Sequence, residues 1–362
     1  MPIREESFRM GCGRYIQKQG ALSLCGEEIA RLGTAPLIVG GKTALEQALP
    51  AVLPSVRAAC ERHTVVEHGG TCNERDALAL AELAARDGYD VIVGVGGGVI
   101  MDFAKLIANS AGLPVVNVPT SSATCAAYTP LSVCYTPEGK TVGTKHFERE
   151  VDAVIVDTAL LAKQPVRLLL AGVFDALAKF IEIKQRFTEQ TTAFPLGLNF
   201  SYALAKCSFD ELVQQTEICL RDMQSGVVSD AVERVIFAAI AATGSISGIA
   251  RGSNQTALAH KFYELTRERY PERSKPYLHG EIVGVGLLLQ SEFNQLPGDS
   301  VFLKDMMLAH RMPMRITDIG VDNTEETRTA YFDRLCQSSA MQESSASAAE
   351  LLDQSLRKLW EL

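Results

Sequence analysis

The stretch Val91–Thr120, VIVGVGGGVIMDFAKLIANSAGLPVVNVPT, decides how the rest of the chain reads. Val91, Ile92 and Val93 form an apolar run of strand length. Gly94, Gly96, Gly97 and Gly98 then strip the turn of side chains. A helix opens through Asp102, Ala104 and Lys105 and stops at Gly112. Val115, Val116 and Val118 form the next strand, which Pro119 ends. In such a strand–turn–helix–strand unit, backbone N–H groups can approach a diphosphate at a helix N-terminus. The fit to the dinucleotide fingerprint is loose, because Gly94 and Gly96 hold its first two places and Val99 stands in the third. A tight turn without a ligand is the alternative. Consecutive glycines are costly in chain entropy, which argues for a compensating contact.

On the N-terminal side, Pro36–Val39 reads as a strand closed by Gly40 and Gly41. Lys42–Leu49 reads as a helix stopped by Pro50, and Val52–Arg62 as a second helix. A strand over 64–66 and a helix over 76–86 follow. Strands alternating with helices at this spacing predict a parallel sheet covered on both faces. On the C-terminal side, Leu131–Tyr135 and Thr141–Phe147 read as a hairpin around Pro137-Glu138-Gly139. Val154–Val156 is a last strand, and Asp157 is a helix N-cap. Beyond it only helical patterns remain. The expected organisation is an α/β dinucleotide-binding domain over 1–158 and an all-α metal- and substrate-binding domain over 159–362. A cleft between two such domains is a favoured place for a ligand.

Bulk properties narrow the function. A chain of 362 residues, 47% of them hydrophobic, supports two cores. Net charge is −8 and the basic residues are scattered, which excludes a nucleic-acid partner. The nearest thing to a basic run, Arg267–Lys275, contains Glu268 and Glu272 and reads as a solvated loop. Nine cysteines occur singly with no C-x-x-C pair, as expected of reduced thiols in a cytoplasmic protein. No apolar leader follows Met1, and no uninterrupted apolar run reaches about 18 residues, so no membrane partner is expected.

Metal-ligand candidates are few. Of six histidines, His260 sits in the helical pattern TALAHKFYEL and His279 at a helix start in KPYLHGEIVGVG. Asp175 interrupts an apolar helix, AGVFDALAKFIE, where a carboxylate needs a partner. One aspartate with two histidines and an open position suits catalytic zinc or ferrous iron. The residues alone equally allow two ordinary histidines and an Asp175–Lys179 ion pair.

Five blocks in order carry a resemblance: GVGGGVIMDFAK, LPVVNVPTSSATCAAYTPLSVCYTPEG, LLAGVFDALAKFIE, ALAH and LHGEIVGVGLL. Together they resemble the iron-containing alcohol dehydrogenase superfamily, and within it the glycerol dehydrogenase branch, over about residues 30–315. ATCAAYTPLSVCY is most similar to the hydroxycarboxylate dehydrogenase members. The resemblance implies the architecture shared with dehydroquinate synthase: an α/β nucleotide domain, a helical domain and one divalent metal, zinc first, iron or manganese next. It carries the metal ligands, and catalysis through the metal, to Asp175, His260 and His279. The diphosphate falls on Gly96, Gly97, Gly98, Val99 and Asp102. Thr120, Ser121, Thr129, Leu131 and Tyr135 take the remaining nucleotide contacts.

Three departures from the family pattern stand out. Gly41, followed by Lys42, occupies the place of the acid that holds the adenosine ribose, which favours NADP(H) over NAD(H). Cys125 stands where glycerol enzymes have their substrate-facing Asp. The H-x-x-H-N-G block keeps only His260. The implied activity is interconversion of a small alcohol, a 2-hydroxy acid or polyol, with its carbonyl compound, 2-oxo acid reduction leading. A glycerol or diol dehydrogenase is the alternative. A dehydroquinate synthase-like lyase fits less well, for want of basic residues converging on a phosphate. A homo-oligomer is expected.

Overall fold

The computed structural model describes residues 8–187, 196–250, 256–341 and 346–362. Strand β1 (Tyr15–Lys18) leads through a 3-10 turn to helix α1 (Cys25–Ala30). Then β2 (Pro36–Gly40), α2 (Lys42–Ala59), β3 (Thr64–Glu67), α3 (Glu74–Asp87), β4 (Val91–Gly96), α4 (Gly98–Ala111) and β5 (Val115–Pro119) alternate. The hairpin β6 (Leu131–Tyr135) and β7 (Thr141–His146) precedes β8 (Ala153–Asp157) and α5 (Thr158–Leu161). The remaining helices are α6 (Val166–Phe187), α7 (Leu196–Gln224), α8 (Asp230–Phe237), α9 (Thr243–Ile249), α10 (Leu258–Arg269), α11 (Pro271–Ser274), α12 (His279–Phe293), α13 (Pro297–Ala309), α14 (Glu325–Cys336) and α15 (Ala346–Trp360).

Packing divides the chain into two compact units, and neither is one continuous stretch. The first comprises Met10–Leu169 and Glu211–Ser245, and the second chiefly Leu170–Asp210 and Ile246–Leu362. A single cut at 158 therefore differs from the packing, because the middle helices 211–245 group with the sheet.

The first unit is built on a fully parallel sheet of order β1-β8-β5-β4-β2-β3. Strands β2, β4, β5 and β8 are buried at every position, as strands covered on both faces must be. The edge strand β3 alternates exposed and half-buried residues. Its opposite edge, β1, goes beyond the sequence reading: YIQK is short and polar and gains its place by pairing with β8. Chain order reverses between β2 and β4, since β3 lies outside β2 while β5 and β8 lie beyond β4. Ligands of open α/β sheets bind outside the carboxyl ends of strands at such a switch point. Gly41 follows β2 there and Gly97 follows β4.

Two local expectations need correction. Helix α2 is continuous from Lys42 to Ala59, with Pro50 and Pro54 inside it, rather than two helices broken at Pro50. Its stripe Leu45, Ala48, Val52 and Val56 is buried in the core beside Val91, Val93 and Ile38. That shared burial offsets the roughly 3 kcal/mol cost of an interior proline. The run Arg267–Lys275 is not a solvated loop: it completes α10 and forms α11. Arg267 caps the segment by donating to the carbonyls of Ser274 and Tyr277, each at 2.6 Å.

The helical run Asp230–Ile249 is long and apolar enough to cross a membrane, yet it is mostly buried inside the fold. It behaves as a core helix. A π-helical turn, Ala238–Ala242, interrupts it, and Thr243 donates to the Ala238 carbonyl at 2.8 Å.

Candidate active site

In the first unit, the glycines after β4 divide by task. A Cβ on Gly94 would sit 2.6 Å from the Ala104 Cβ, and one on Gly96 would sit 2.7 Å from the Ile100 Cβ. Those two glycines let α4 lie close on its own strand. A Cβ on Gly97 would meet only the Ser121 Cβ, at 3.9 Å, so this side of the turn is open. Gly97 is the N-cap of α4 and provides no side-chain cap. Val99, 47% exposed, lies in the helix's first turn. A bare, uncapped helix N-terminus at a switch point suits an anion.

Thr120 and Ser121, two of the expected nucleotide residues, border this turn. The Thr120 N–H donates to the Gly96 carbonyl at 2.9 Å, tying the end of β5 to that of β4. Ser121 faces Gly97, and its hydroxyl accepts from the Ala123 N–H at 3.1 Å. Leu131 and Tyr135 share the half-exposed face of β6, while Ser132 and Cys134 point inward. The Cys125 carbonyl accepts from the Tyr128 N–H at 2.9 Å, in the loop between β5 and β6. Gly41 is the N-cap of α2, where a Cβ would find only Ile100 at 4.0 Å, and Lys42 beside it is exposed.

Asp102 has a different setting from the exposed turn. Its carboxylate is buried, 2.9 Å from the Lys105 ammonium, and accepts from the Val133 N–H at 3.1 Å. Burial pushes the Asp102 carboxyl up, and Lys105 pulls it back. Lys105 is itself buried and donates to the carbonyls of Ala126 (2.7 Å), Thr129 (2.9 Å) and Leu131. One ammonium thus gathers the loop 126–131 onto α4, and it escaped the sequence reading. The missed signal was a lysine at i+3 from an aspartate on a helix otherwise apolar at those positions.

In the second unit, glycines again set the geometry. A Cβ on Gly280 would lie 1.8 Å from the Ala171 carbonyl oxygen, and one on Gly286 would lie 2.7 Å from that of Ala259. Helix α12 therefore runs backbone-close to α6 and α10. This brings Asp175 of α6, His260 of α10 and His279, the first residue of α12, together. Their donor atoms all lie within 4.8 Å of one another. His260 Nε2 is 3.4 Å and His279 Nε2 3.5 Å from Asp175 Oδ1. That oxygen is buried and has no hydrogen-bond partner. The edge of Tyr263 packs on the His279 ring at 4.2 Å.

Glu182 completes this centre and was not anticipated. Fully buried on α6, it receives the His260 Nδ1 at 2.5 Å on one oxygen. Its other oxygen accepts from the N–H groups of Ala257 (2.8 Å) and His260 (2.9 Å). Gln290 of α12 accepts from the Leu258 N–H at 2.7 Å. The first turn of α10 is thus capped by two other helices, and the His260 ring is held with Nε2 toward Asp175. Asp175, Lys179 and Glu182 stand at i, i+4 and i+7, one face of an apolar helix, which is where the signal lay.

Electrostatics follow this arrangement. Burial opposes ionisation of Asp175, but Lys179 and the two histidines hold its carboxyl well below the usual range. Burial likewise disfavours charge on His260, and Glu182 overrides it, lifting that imidazole to about 9. Burial depresses His279, leaving it neutral.

Comparison with known proteins agrees with this picture. A family profile described as iron-containing alcohol dehydrogenase matches residues 12–158. The glycerol dehydrogenase of Thermotoga maritima is 32% identical, covering 87% of this chain and 85% of that protein. Hydroxycarboxylate dehydrogenase A of Escherichia coli is 33% identical over 78% of this chain and 76% of its own length. In fold, the crystal structure of glycerol dehydrogenase from Schizosaccharomyces pombe aligns with TM-score 0.82 at 22% identity, covering 99% of this chain and 93% of that one. An open dinucleotide-type turn, a three-donor centre and these relatives converge: the chain belongs to the iron-containing alcohol dehydrogenase family, in its glycerol dehydrogenase branch, and is an alcohol oxidoreductase.

Proposed function

We propose that the protein is a metal-dependent, NAD(P)-linked dehydrogenase interconverting small 2-hydroxy acids and 2-oxo acids. The observation that carries this reading is the Asp175–His260–His279 triad, with one buried carboxylate oxygen lacking a hydrogen-bond partner and two imidazole nitrogens facing it. Such a donor set fits Zn²⁺ or Fe²⁺ with a position left over for substrate. When bound, a divalent ion there supplies Lewis-acid polarisation of the substrate oxygen. The chain's own residues do the rest by positioning. Glu182 keeps the His260 lone pair aimed inward by accepting its Nδ1–H. Gly97 leaves room for the diphosphate beside Gly96, Gly98 and Val99 at the start of α4, and Thr120, Ser121, Thr129, Leu131 and Tyr135 take the nucleoside ends. Asp102 and Lys105 fasten the hairpin that bears the last two. The hydride itself is the cofactor's chemistry.

Cys125 in place of a substrate-facing acid favours a carboxylate substrate over a polyol, since an acid there would repel it. Gly41 and Lys42 favour NADP(H), zinc is the leading metal, and the active form is a homo-oligomer. Oxidation of glycerol or a related diol is the second reading, favoured by the identity to glycerol dehydrogenases, which matches that to the hydroxycarboxylate enzyme. The deciding experiment is a panel of aldehydes, ketones, diols and 2-oxo acids with both reduced and oxidised cofactors, with zinc, iron or manganese added. Net cofactor turnover that depends on added metal and is fastest with 2-oxo acids is the expected result. Turnover fastest with glycerol would establish the second reading.

A further inference from the structure

Helix α10 carries three linked residues along one face. His260, Tyr263 and Arg267 stand at i, i+3 and i+7, so they follow one another along the helix. Tyr263 stands at the second histidine's place in the block H-x-x-H-N-G. Its half-buried ring packs on His279, with centroids 4.2 Å apart and planes at 72°. The Arg267 guanidinium lies over the same Tyr263 ring, 5.4 Å from its centroid. That guanidinium also donates to the carbonyls of Ser274 and Tyr277, each at 2.6 Å. Tyr277 is two residues before His279, so Arg267 ties the Tyr263 ring to the backbone that delivers His279.

The two histidines of the centre are oriented by different means. His260 is held by a hydrogen bond between its Nδ1 and Glu182. His279 is the first residue of α12, and its backbone is fixed by Glu281, which accepts from the Leu278 N–H at 2.7 Å. Fixing the backbone leaves the ring its own side-chain torsions. The His279 side chain is 26% exposed against 11% for His260, so general packing restrains it less. What bears on its ring is the Tyr263 ring, with the His260 ring farther off at 5.4 Å. An edge-to-face aromatic pair is strong enough to change a rotamer population several-fold.

We infer that Tyr263 is a positioning residue that keeps the His279 imidazole turned toward Asp175, as Glu182 does for His260. The inference rests on the metal-dependent reading of the proposed function. Because the contact is ring on ring, the phenyl group matters and the hydroxyl does not.

The test measures zinc affinity of the full-length protein by competition with a chromophoric chelator. Visible absorption of the cobalt-loaded protein reports the ligand geometry alongside it. Tyr263→Phe keeps the ring and should bind zinc within about threefold of wild type, with an unchanged cobalt spectrum. Tyr263→Leu removes the ring and should bind roughly tenfold more weakly or worse, with an altered cobalt spectrum and unchanged far-ultraviolet circular dichroism. Should the leucine variant not fold, Tyr263→Ala, with the best helix propensity, is read by the same criterion. Wild-type zinc affinity and cobalt spectrum without the ring overturn the inference. So does a Tyr263→Phe variant weakened as much as one lacking the ring. His279→Ala separates this failure from that of the metal reading. If wild type takes up no zinc, or His279→Ala binds it as tightly as wild type, the metal reading falls. If His279→Ala loses zinc while the variant without the Tyr263 ring keeps it, only the role of Tyr263 falls.

Discussion

The turn after β4 and the donor centre of α6, α10 and α12 are two ways of building a site. The turn is made of backbone. Its residues are contiguous, its function depends on side chains being absent, and Gly97 leaves space for a ligand. The donor centre is made of side chains on three helices far apart in sequence. It depends on partners that orient those side chains and on glycines that let the helices touch. A backbone site loses affinity when bulk is added to it. A side-chain site loses it when an atom is removed, and the loss spreads to residues that never touch the ligand.

The largest effect should follow from removing a donor. His260→Ala leaves two donors from the three and opens a space beside the buried Glu182 carboxylate. Zinc affinity should fall by on the order of a thousandfold or more, about 4 kcal/mol, with metal-dependent turnover lost. Far-ultraviolet circular dichroism checks that α10 survives. A variant with wild-type zinc content would show that the triad is not the metal site.

Next comes Glu182→Gln, which sharpens the contrast because Glu182 is not itself a ligand. The amide can still accept from the Ala257 and His260 N–H groups but no longer offers His260 Nδ1 a charged acceptor. Outer-shell changes of this kind cost about 10- to 100-fold in metal affinity. Zinc competition with a chromophoric chelator measures it. An unchanged affinity would reduce Glu182 to a helix cap.

Legibility divides along the same line. The strands β2, β4, β5 and β8 announced themselves as continuous apolar runs, because burial on both faces leaves no room for polar alternation. The hairpin showed its period of two. Strand β1 did not, since YIQK owes its conformation to β8 rather than to its own pattern. Pro50 misled for the opposite reason: local chemistry pointed to a break, and the buried stripe of α2 overrode it. At the site, Asp175 stood out as a polar group in an apolar helix, while His260 and His279 were singled out by the resemblance rather than by their own pattern. Glu182 stands in the same helix as Asp175, but its importance lies in a hydrogen bond spanning 78 positions to His260, which no local pattern encodes. Lys105 is similar, because its partners lie in the loop 126–131.

The backbone site is tested by Gly97→Val, with Gly96→Val as its contrast. Gly97 has an extended backbone, φ −83 and ψ −173, which valine adopts readily, and open space where its Cβ would go. The variant should fold and bind dinucleotide about tenfold more weakly, roughly 1.4 kcal/mol. Gly96→Val would drive a Cβ to within 2.7 Å of the Ile100 Cβ, so it should lose stability first. Thermal unfolding and cofactor titration on both variants separate the two roles. Undiminished dinucleotide affinity in Gly97→Val would place the cofactor elsewhere.

The smallest expected effect concerns cofactor choice, at the other side of the switch point. An acid after β2 ordinarily accepts a hydrogen bond from the adenosine ribose and repels a 2′-phosphate. Gly41 removes that repulsion, and the exposed Lys42 supplies a cation at the first residue of α2. An ammonium there can meet a 2′-phosphate with a charge-assisted contact. A competing acid is close by, because Glu67 is the register partner of Gly40 on β3 and is exposed. If Lys42 governs the site, wild type uses NADP(H) at least as well as NAD(H), and Gly41→Asp shifts the ratio of kcat/KM values toward NAD by about threefold to tenfold, at most ~1.4 kcal/mol. If Glu67 takes the place of the missing acid, wild type prefers NADH by tenfold or more, and Glu67→Gln abolishes the preference. Steady-state kinetics with both cofactors on the wild type and these two variants decides between a site defined by an absent side chain and one defined by a neighbour's.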